Sequence, residues 1–509
     1  MKIWSSTISF ARRFWFATDL IDKTLFLGLM VLVGRVATDP DFGWQLRGGL
    51  DLIKSFHIPS FDPYSHTLTN YSWVNHEWLS EGILAFIYQY LGMAMVVLLF
   101  ALLTIGAFWL ALSTFKINRK SKLIILALVF MADMGRWGIR MQVITWFGMA
   151  FILWSFAQYR SGRFKHLWWY IPIFCLWANL HGGFTAGLGI FGLLVAIEAV
   201  RWLWCTYVID TPAQSNTIPL LTARQFGHLV LVGILSGAAT FINPYGWKLY
   251  LDFYHLFTSS FALQNIGEWR PLLDAFNSGS GHWLLFYFIV FFLSAIMVAR
   301  KIDFARWIVA FVFLLLAWSA TRNISFFLLV SAGFIAQAFD YLMAPIAQWL
   351  SHRHWMLHTV IGVAGLFVII PNLWPLFTHA NDISVIAQLK SYPLAAIEWA
   401  RNNPGQVGTK LYNTYNLGGF LDWQLPEHKV FVDGRMAYWH SGEKYPFQDS
   451  LDIDAGKPDA IAKMQSLYGV DWVITDPLFP LAVTLKNSSD WVQIFADDVG
   501  VIYRKRTIL

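Results

Sequence analysis

The chain has 509 residues, of which 57% are hydrophobic and only 13% are charged. A soluble protein would carry about a quarter charged residues, so most of this chain must face lipid or other helices. The formal net charge of +6 is small for this length and gives no indication of nucleic-acid binding. Cys175 and Cys205 lie in or beside apolar runs without metal-ligand spacing, and we expect no disulfide framework.

The first twenty residues are basic and amphipathic and lack a small-residue cleavage site. We therefore expect the first apolar segment itself to direct membrane insertion. A membrane-spanning helix needs about 20 apolar residues, and a packed bundle tolerates fewer. Apolar segments predict about eleven spans, near residues 23–38, 94–114, 122–134, 143–158, 167–180, 184–203, 226–242, 282–299, 306–320, 324–345 and 355–371.

The basic residues predict the orientation of these spans, because Lys and Arg are enriched in short cytoplasmic loops. This orientation places the N-terminus on the cytoplasmic side of the membrane and the C-terminus on the outer side. The inner positions are Arg12, Arg13, Lys116, Arg119, Lys120, Lys122, Arg160, Arg163, Lys165, Arg300, Lys301, Arg306, His352, Arg353 and His354. This alternation requires the short apolar segment 81–92 to lie in the membrane interface instead of crossing it.

The unusual polar residues collect on the predicted outer side. The longest such segment is residues 39–93, which we call the first loop, and it has too many aromatic residues and too few charges for a disordered segment. Long loops of this kind are usually functional. The others are Arg136 to Gln142, His181 to Gly183, Asn243 to Gly246, Glu268 to Arg270, and Arg322 with Asn323. We therefore expect the chemistry at the outer membrane–water boundary.

The composition changes after Pro375, and residues 378–509, which we call the tail, are far more polar. We predict a transmembrane domain over residues 1–377 and a small extracytoplasmic α/β domain over the tail. Candidate helices are residues 384–403 and 460–469. Candidate strands are KVFVDGR (429–435), DWVITD (471–476) and VGVIYRK (499–505), which are short β-branched runs bounded by turn residues.

Two carboxylates open the first loop. Asp39 fits a helix stop followed by a solvated loop. Asp41 is followed by Phe42, Trp44 and Arg47, so it sits among bulky residues that exclude water. A carboxylate in this setting can serve as a general base, or as a ligand for a metal or a hydroxyl group.

His76, Glu77 and Glu81 precede the segment 81–92, and the two glutamates share one helix face at i and i+4. They form either the capped start of an amphipathic helix or a polar wall facing Asp41. His76 is a candidate contact for a phosphate or a metal. HEWLSE is not H-E-x-x-H, so a catalytic zinc site is not expected.

Arg136, Arg140 and Arg322 are predicted on the outer side, although Lys and Arg are usually enriched in cytoplasmic loops. This unusual position makes them candidate functional residues. The planar guanidinium fork suits phosphate oxygens, including those of membrane lipids. Gln142 lies beside Arg140 as a candidate binding residue. His181, followed by two glycines, is either structural or a ligand.

These motifs together resemble the GT-C superfamily of bacterial integral-membrane glycosyltransferases, which includes protein O-mannosyltransferases, the lipid A aminoarabinose transferase and the catalytic oligosaccharyltransferase subunit. More closely, they resemble a subset of bacterial GT-C-like proteins that carry this loop pattern. The resemblance rests on an Asp-x-Asp, a Trp-x-Leu, a Pro-x-x-Asp-Pro-Tyr-Ser and a His-Glu-Trp-Leu-Ser-Glu element in the first loop. The corresponding residues are Asp39 to Asp41, Trp44 to Leu46, Pro59 to Ser65 and His76 to Glu81. Further matches are Arg140 to Gln142, Asn179 to Gly183, Asn243 to Trp247, Arg322-Asn323 and Asp433-Gly434-Arg435. Gln45 departs from the pattern, which has His there.

The resemblance implies that Asp41 is the catalytic carboxylate of an enzyme that takes a sugar from a polyprenyl-phosphate donor. The acceptor would be a glycan, a lipid or a protein, at the outer face of a bacterial cytoplasmic (inner) membrane. Candidate donor- or acceptor-binding residues are Asp39, Arg47, His76, Glu77, Glu81, Arg140, Gln142, His181 and Arg322. No cofactor is expected with certainty; a divalent metal is a candidate, with Asp41, His76 and Glu77 as its ligands.

The alternative is a non-catalytic lipid-carrier flippase or a membrane assembly scaffold. A transporter typically has polar or broken helices near the middle of the membrane. The predicted spans are largely apolar, with polar residues at one rim. That distribution favours the enzyme.

Overall fold

The computed structural model of the protein describes residues 20–34, 39–207, 220–277, 279, 281–351, 355–378 and 382–506. The N-terminal insertion segment with Arg12 and Arg13, and the residues His352 to His354, lie outside these ranges. Within them the chain is mostly helical, with one small sheet. Contacts divide it into two compact units. The first contains Leu20–Val33, Val97–Ile242 and Glu268–Thr378, and the second contains the first loop, Asn243–Gly267 and the tail.

The helices are numbered in chain order. They are α1 (Leu20–Val33), α2 (Phe42–Ser55), α3 (Trp78–Leu112), α4 (Arg119–Ala132), α5 (Gln142–Arg160), α6 (Tyr170–Leu180), α7 (Phe184–Tyr207), α8 (Ala223–Ala239), α9 (Lys248–Thr258), α10 (Ser260–Asn265), α11 (Leu272–Phe276), α12 (Gly281–Val298), α13 (Phe304–Ser319), α14 (Ile324–Ser351), α15 (Trp355–Thr378), α16 (Ile383–Lys390), α17 (Leu394–Asn402), α18 (Tyr415–Gln424), α19 (Pro446–Asp454), α20 (Pro458–Ser466) and α21 (Pro480–Lys486).

Every apolar segment predicted as a span contains one of these helices. In the part of the chain that the structure describes, four helices are long and apolar enough to cross a membrane: Trp78–Leu112, Phe184–Cys205, Gly281–Lys301 and Thr321–Pro345. Shorter apolar helices accompany them, at Tyr170–Leu180, Phe304–Ser319 and Gly362–Leu373. The first unit thus has the character of a membrane-embedded helical bundle.

An aromatic core joins α4, α5 and the end of α3 in the first unit. The rings of Phe108, Phe130, Trp137 and Trp146 meet edge to face at centroid distances of 5.1 to 5.6 Å. The buried indole of Trp137 donates a hydrogen bond to the Phe130 carbonyl at 2.7 Å, so its one polar atom is satisfied. This packing fixes the turn from Arg136 to Gln142 against the bundle.

The helix α3 is interrupted at Gly92, where φ is 80° and ψ is 171°. A side chain would be strained there, so glycine permits the break. The segment 81–92 therefore forms a helix separate from the span predicted from residue 94. Its placement in the membrane interface remains a prediction.

That placement decides the predicted topology and is testable. With segment 81–92 in the interface, the tail lies outside, and a reporter that is active only outside the cytoplasm should be active when fused after Leu509. Activity of a cytoplasm-only reporter at the same position would mean that the segment crosses the membrane. The outer location of the first loop would then have to be abandoned.

The second unit contains a four-stranded sheet with the order β1-β2-β4-β3. Its strands are β1 (Leu411–Tyr412), β2 (Trp472–Thr475), β3 (Trp491–Ala496) and β4 (Val501–Lys505). The pair β1–β2 is parallel and the other pairs are antiparallel, with Val473 opposite Tyr503 in the centre. The predicted strands at 471–476 and 499–505 and the helix at 460–469 are confirmed.

The predicted strand KVFVDGR is wrong. Val430, Phe431 and Val432 are fully buried, but they do not form a strand of the sheet. Asn413, next to β1, accepts from the Phe431 N–H and donates to the Val432 carbonyl, both at 2.8 Å. The remaining partners belong to the first loop. The Val430 N–H donates to the Tyr64 carbonyl at 3.0 Å, and Thr67 donates to the Phe431 carbonyl at 2.9 Å.

The predicted helix 384–403 is two helices, α16 and α17, because Ser391 has a φ of 54° and Pro393 follows. The strands β1 and β3 were not predicted. The first is only two residues long, and the second has an exposed and irregular pattern in place of a clear apolar run.

Candidate functional site

Asp41 is held at the start of α2 by its neighbours in sequence. Its main-chain N–H donates to Oδ1 of Asp39 at 3.0 Å, and its carbonyl accepts from the Gln45 N–H at 3.1 Å. Its side chain does not cap the helix. Oδ1 instead accepts from the indole Nε1–H of Trp44 at 3.0 Å. The helix thus fixes the backbone of Asp41, and the bond from Trp44 fixes its carboxylate.

Glycines bring main chain of the tail close to Asp41. A Cβ at Gly434 would lie 1.8 Å from Oδ1 of Asp41, so any side chain there would displace the carboxylate. A Cβ at Gly43 would lie 1.9 Å from the Gly419 carbonyl, so α2 and α18 pack in near backbone contact. The motif Asp433-Gly434-Arg435 therefore belongs to the surroundings of Asp41.

Glu77 lies buried beside Gln45, the residue that departs from the family pattern. Nε2 of Gln45 donates to Oε2 of Glu77 at 2.7 Å, and the Glu77 N–H donates to Oδ1 of Asn75 at 3.1 Å. Burial, and then repulsion from Glu81 and Asp41, raises the pKa of Glu77 well above its ordinary value. A carboxyl in this environment favours the protonated, neutral form.

Glu81 is buried one helical turn further on. Oε2 accepts from Nδ2 of Asn75 at 2.7 Å, whereas Oε1 has no hydrogen-bond partner within the described chain. A Cβ at Gly48 would lie 2.6 Å from Oε2, so Gly48 makes room for this carboxyl group. Asn75 contacts both Glu77 and Glu81, so the two carboxyl groups lie in one buried polar region. That they form a wall facing Asp41 remains a prediction.

His76 and Arg47 occupy the margins of this region. Nε2 of His76 lies 3.7 Å from Oε1 of Glu77, and its ring packs edge-on against Phe253. Arg47 pairs with Asp51 at 2.8 Å, and Asp51 also accepts from the Tyr64 hydroxyl at 3.0 Å. The expected Arg47–Asp41 neighbourhood is thus replaced by a pair along α2.

Arg435 joins the first loop to the tail in a fully buried ion network that we did not predict. Its guanidinium contacts Asp62 at 2.8 Å and Asp433 at 2.5 and 2.9 Å. The same group lies over the rings of Trp73 and Tyr64, at 4.7 and 4.9 Å from their centroids. Burial alone would raise the pKa of Asp62, but Arg435 and hydrogen bonds from Ser65 hold it below its ordinary value.

In the first unit, three arginines lie around the Glu268–Trp269 region, and we call Arg136, Arg140 and Arg322 the arginine cluster. Nη1 of Arg140 lies 2.9 Å from Oε1 of Glu268, and the Arg322 guanidinium lies 4.3 Å over the Trp269 ring. Arg136 pairs with Asp133 at 2.8 Å. Burial favours a raised pKa for Glu268, but Arg140, and then Arg322 and Arg136, hold it below the ordinary value.

His181 is held by hydrogen bonds to its Nδ1. The Gly183 N–H donates to Nδ1 at 2.9 Å, and the Thr145 hydroxyl lies 2.8 Å from the same atom. An accepting Nδ1 places the ring proton of neutral histidine on Nε2. A Cβ at Gly183 would lie 1.9 Å from Thr145, so glycine is required for this contact. Gln142 is the first residue of α5 and is half-buried.

The geometry does not favour a metal centre. Among the residues that the structure describes, no group of three or more His, Cys, Asp or Glu side chains is arranged to hold a metal ion. Of the candidate ligands, Asp41 accepts from an indole and Glu77 from an amide. A requirement for a divalent metal therefore remains a hypothesis without support from this arrangement.

Comparison with known proteins identifies the fold. No protein-family model matches the chain, and no curated protein matches it in sequence. Solved structures do match over nearly its whole length, and they are an oligosaccharyltransferase and ArnT. The chain therefore has the fold of these proteins, which agrees with the fold that the resemblance of its motifs implied.

Two similar proteins represent the match. The oligosaccharyltransferase of Archaeoglobus fulgidus, tethered with an acceptor peptide, is 13% identical with a TM-score of 0.53, covering 97% of this chain and 75% of that one. The apo form of the same enzyme gives a TM-score of 0.56, with the match covering 91% of this chain and 70% of that one. ArnT from Cupriavidus metallidurans, bound to undecaprenyl phosphate, is 13% identical with a TM-score of 0.53, covering 96% and 98%.

Proposed function

We propose that the protein is a membrane glycosyltransferase that moves a sugar from a polyprenyl-phosphate donor to an acceptor at the outer face of the membrane. The observation that carries this proposal is the GT-C fold, which extends over at least 91% of the chain. ArnT, with the same fold, was solved with undecaprenyl phosphate bound. The acceptor is a glycan, a lipid or a protein; the A. fulgidus enzyme was solved with an acceptor peptide.

Asp41 is the proposed general base. It would take a proton from the attacking acceptor group while the lipid phosphate leaves the sugar. The hydrogen bond from Trp44 gives the carboxylate a fixed orientation. A neutral Glu77 supports the same role, because it would spare Asp41 the repulsion of a second negative charge nearby.

Arg140 and Arg322 are proposed to bind the phosphate of the donor. Negative charge builds up on that phosphate as the sugar departs, and guanidinium groups stabilise such charge. The ion pair of Arg140 with Glu268 supports this role, since the carboxylate holds that cation in place, and Arg322 lies over the neighbouring Trp269 ring. A phosphate could then replace Glu268 as the partner of Arg140.

The phosphate role predicts different effects for two arginine substitutions. Arg140→Ala should weaken binding of undecaprenyl phosphate by about tenfold or more, the usual cost of losing a hydrogen bond to a charged group. Arg163→Ala is the matched control, because Arg163 is exposed and donates only to Gln158, at 2.9 Å, in the described contacts. Equal losses in the two variants, measured by lipid titration, would indicate general lipid anchoring.

The activity itself is tested with purified protein and a panel of polyprenyl-phosphate sugars, by detecting the released lipid phosphate. Release that depends on both an acceptor and an intact Asp41 is the expected result. The second candidate function is a lipid-carrier flippase or scaffold, with which the apolar helices are compatible but which they do not favour over the enzyme. If the protein binds the lipid but releases no lipid phosphate with any of the sugars tested, that result would support the second function.

A further inference from the structure

A second buried charged region lies in the first unit, around the last residue of α5. The side chain of Arg160 is only 6% exposed. Its Nη1 contacts Asp303 at 2.7 Å, and its Nε lies 2.9 Å from Oε1 of Glu198. Its Nη2 is buried and has no hydrogen-bond partner among the described residues.

A cavity of about 70 Å³ adjoins this guanidinium. Its polar wall contains Arg160, Asp303 and Arg306, and the rest is apolar, including Leu153, Phe156, Leu194, Val309 and Val330. One water needs only about 10–15 Å³ on the same measure, so a phosphate-sized group has room.

Arg306 is fixed in the cavity wall. Its Nη2 donates to the Thr114 carbonyl, and its guanidinium lies 4.0 Å over the Phe115 ring. The wall thus presents two guanidinium groups with one carboxylate, that of Asp303. A buried cation with unsatisfied N–H groups is costly unless an anion completes its partners.

We propose that this cavity binds the phosphate group of an anionic membrane lipid. The guanidinium fork matches phosphate oxygens, and the apolar wall offers a path for an acyl chain that free phosphate would not need. Arg160 and Arg306 are both predicted to lie at the cytoplasmic ends of their spans, where the membrane surface is negatively charged. The site is separate from the arginine cluster, whose residues are predicted at the outer ends.

A purely structural ion pair explains only part of this arrangement. Glu198 already accepts from Nη1 of Arg201 with both oxygens, at 3.0 and 2.8 Å. Arg160 is therefore not needed to satisfy that carboxylate. The Nη2 of Arg160 has no partner among the described residues, and a second guanidinium, that of Arg306, lines the same cavity; an anion would contact both.

The test is a lipid titration of the purified full-length protein, read by native mass spectrometry. We expect one phosphatidylglycerol to bind in preference to phosphatidylcholine. Arg306→Gln should weaken that binding by about tenfold, as expected for a lost charged hydrogen bond. Arg163→Gln, an exposed arginine three residues after Arg160, should bind like the wild type.

A second variant leaves the charges intact. Ala157 lines the cavity one turn before Arg160, and Ala157→Leu should fill it and weaken lipid binding in a similar way. A third outcome is that millimolar inorganic phosphate displaces phosphatidylglycerol and the purified protein retains no lipid. That result would support the anion site, with free phosphate as its ligand. Equal phosphatidylglycerol binding by the wild type, Arg306→Gln and Ala157→Leu would overturn the proposal, as would binding of neither anion by the wild type.

Discussion

Asp41→Asn should reduce sugar transfer by about 10²–10⁴-fold, the usual loss when a general base is removed. The amide keeps the shape of the side chain, and its oxygen can still accept the hydrogen bond from Trp44. The protein should therefore fold and bind donor lipid as before. The measurement is the turnover of a saturating polyprenyl-phosphate sugar, with lipid binding determined separately.

Two neighbouring carboxyl groups provide the controls for Asp41. Asp39→Asn should have a milder effect, because the amide oxygen can still accept from the Asp41 N–H. Glu77→Gln should also be milder if Glu77 is already neutral, since the amide then removes no negative charge. Near-normal turnover in Asp41→Asn, together with its loss in either control variant, would refute the assignment. No effect of any of the three would favour a flippase or a scaffold.

Much of the fold was predictable because membrane helices are encoded locally. Each span needs a continuous apolar run, and each predicted run contains a helix. The break between the segment 81–92 and the following span agrees with the sequence prediction, which separated the two because the positive-inside pattern favoured an interfacial position for 81–92. Gly92 supplies the physical cause of the break, through a φ of 80°. Whether that segment crosses the membrane stays a prediction.

The surroundings of the candidate base were only partly predictable. The shared face of Glu77 and Glu81 follows from helix periodicity, since they are four residues apart. The bond from Gln45 to Glu77 joins residues 32 positions apart, and no local pattern indicates it. Gln45 stood out only because it departs from the family motif.

The ion network of Arg435 and the segment Val430 to Val432 show where sequence reasoning ends. Arg435 and Asp62 are 373 positions apart, so their pairing depends on the tertiary fold. A β-branched run predicts burial equally well whether its partner is a sheet or a loop. Here the partners are Tyr64 and Thr67 of the first loop and the side chain of Asn413. The short motifs signalled that these residues matter, but not which role each one has.

Arg435→Met should strongly destabilise the folded protein. It leaves the carboxylates of Asp62 and Asp433 buried without their cation, and breaking a buried pair in this way costs about 3–5 kcal/mol. The expected result is a large drop in the thermal unfolding temperature in detergent. Arg504→Met is the control within the tail, because Arg504 makes only a peripheral contact to the Gln406 carbonyl, at 3.1 Å, and should change stability by about 0.5 kcal/mol or less.

The pH dependence of that loss identifies its cause. In the wild type the pKa of Asp62 is below its ordinary value of 3.8, so its contribution to stability is complete above about pH 3.8 and is lost as the pH falls through the folded-state value. Without Arg435, burial would raise the pKa of Asp62 above the unfolded value. The variant should then regain stability as the pH is lowered from about 7 to about 5, because the folded state takes up protons. If the stability difference between Arg435→Met and the wild type does not change over this pH range, the loss comes from packing against Trp73 and Tyr64. It then does not come from a buried carboxylate left without its cation.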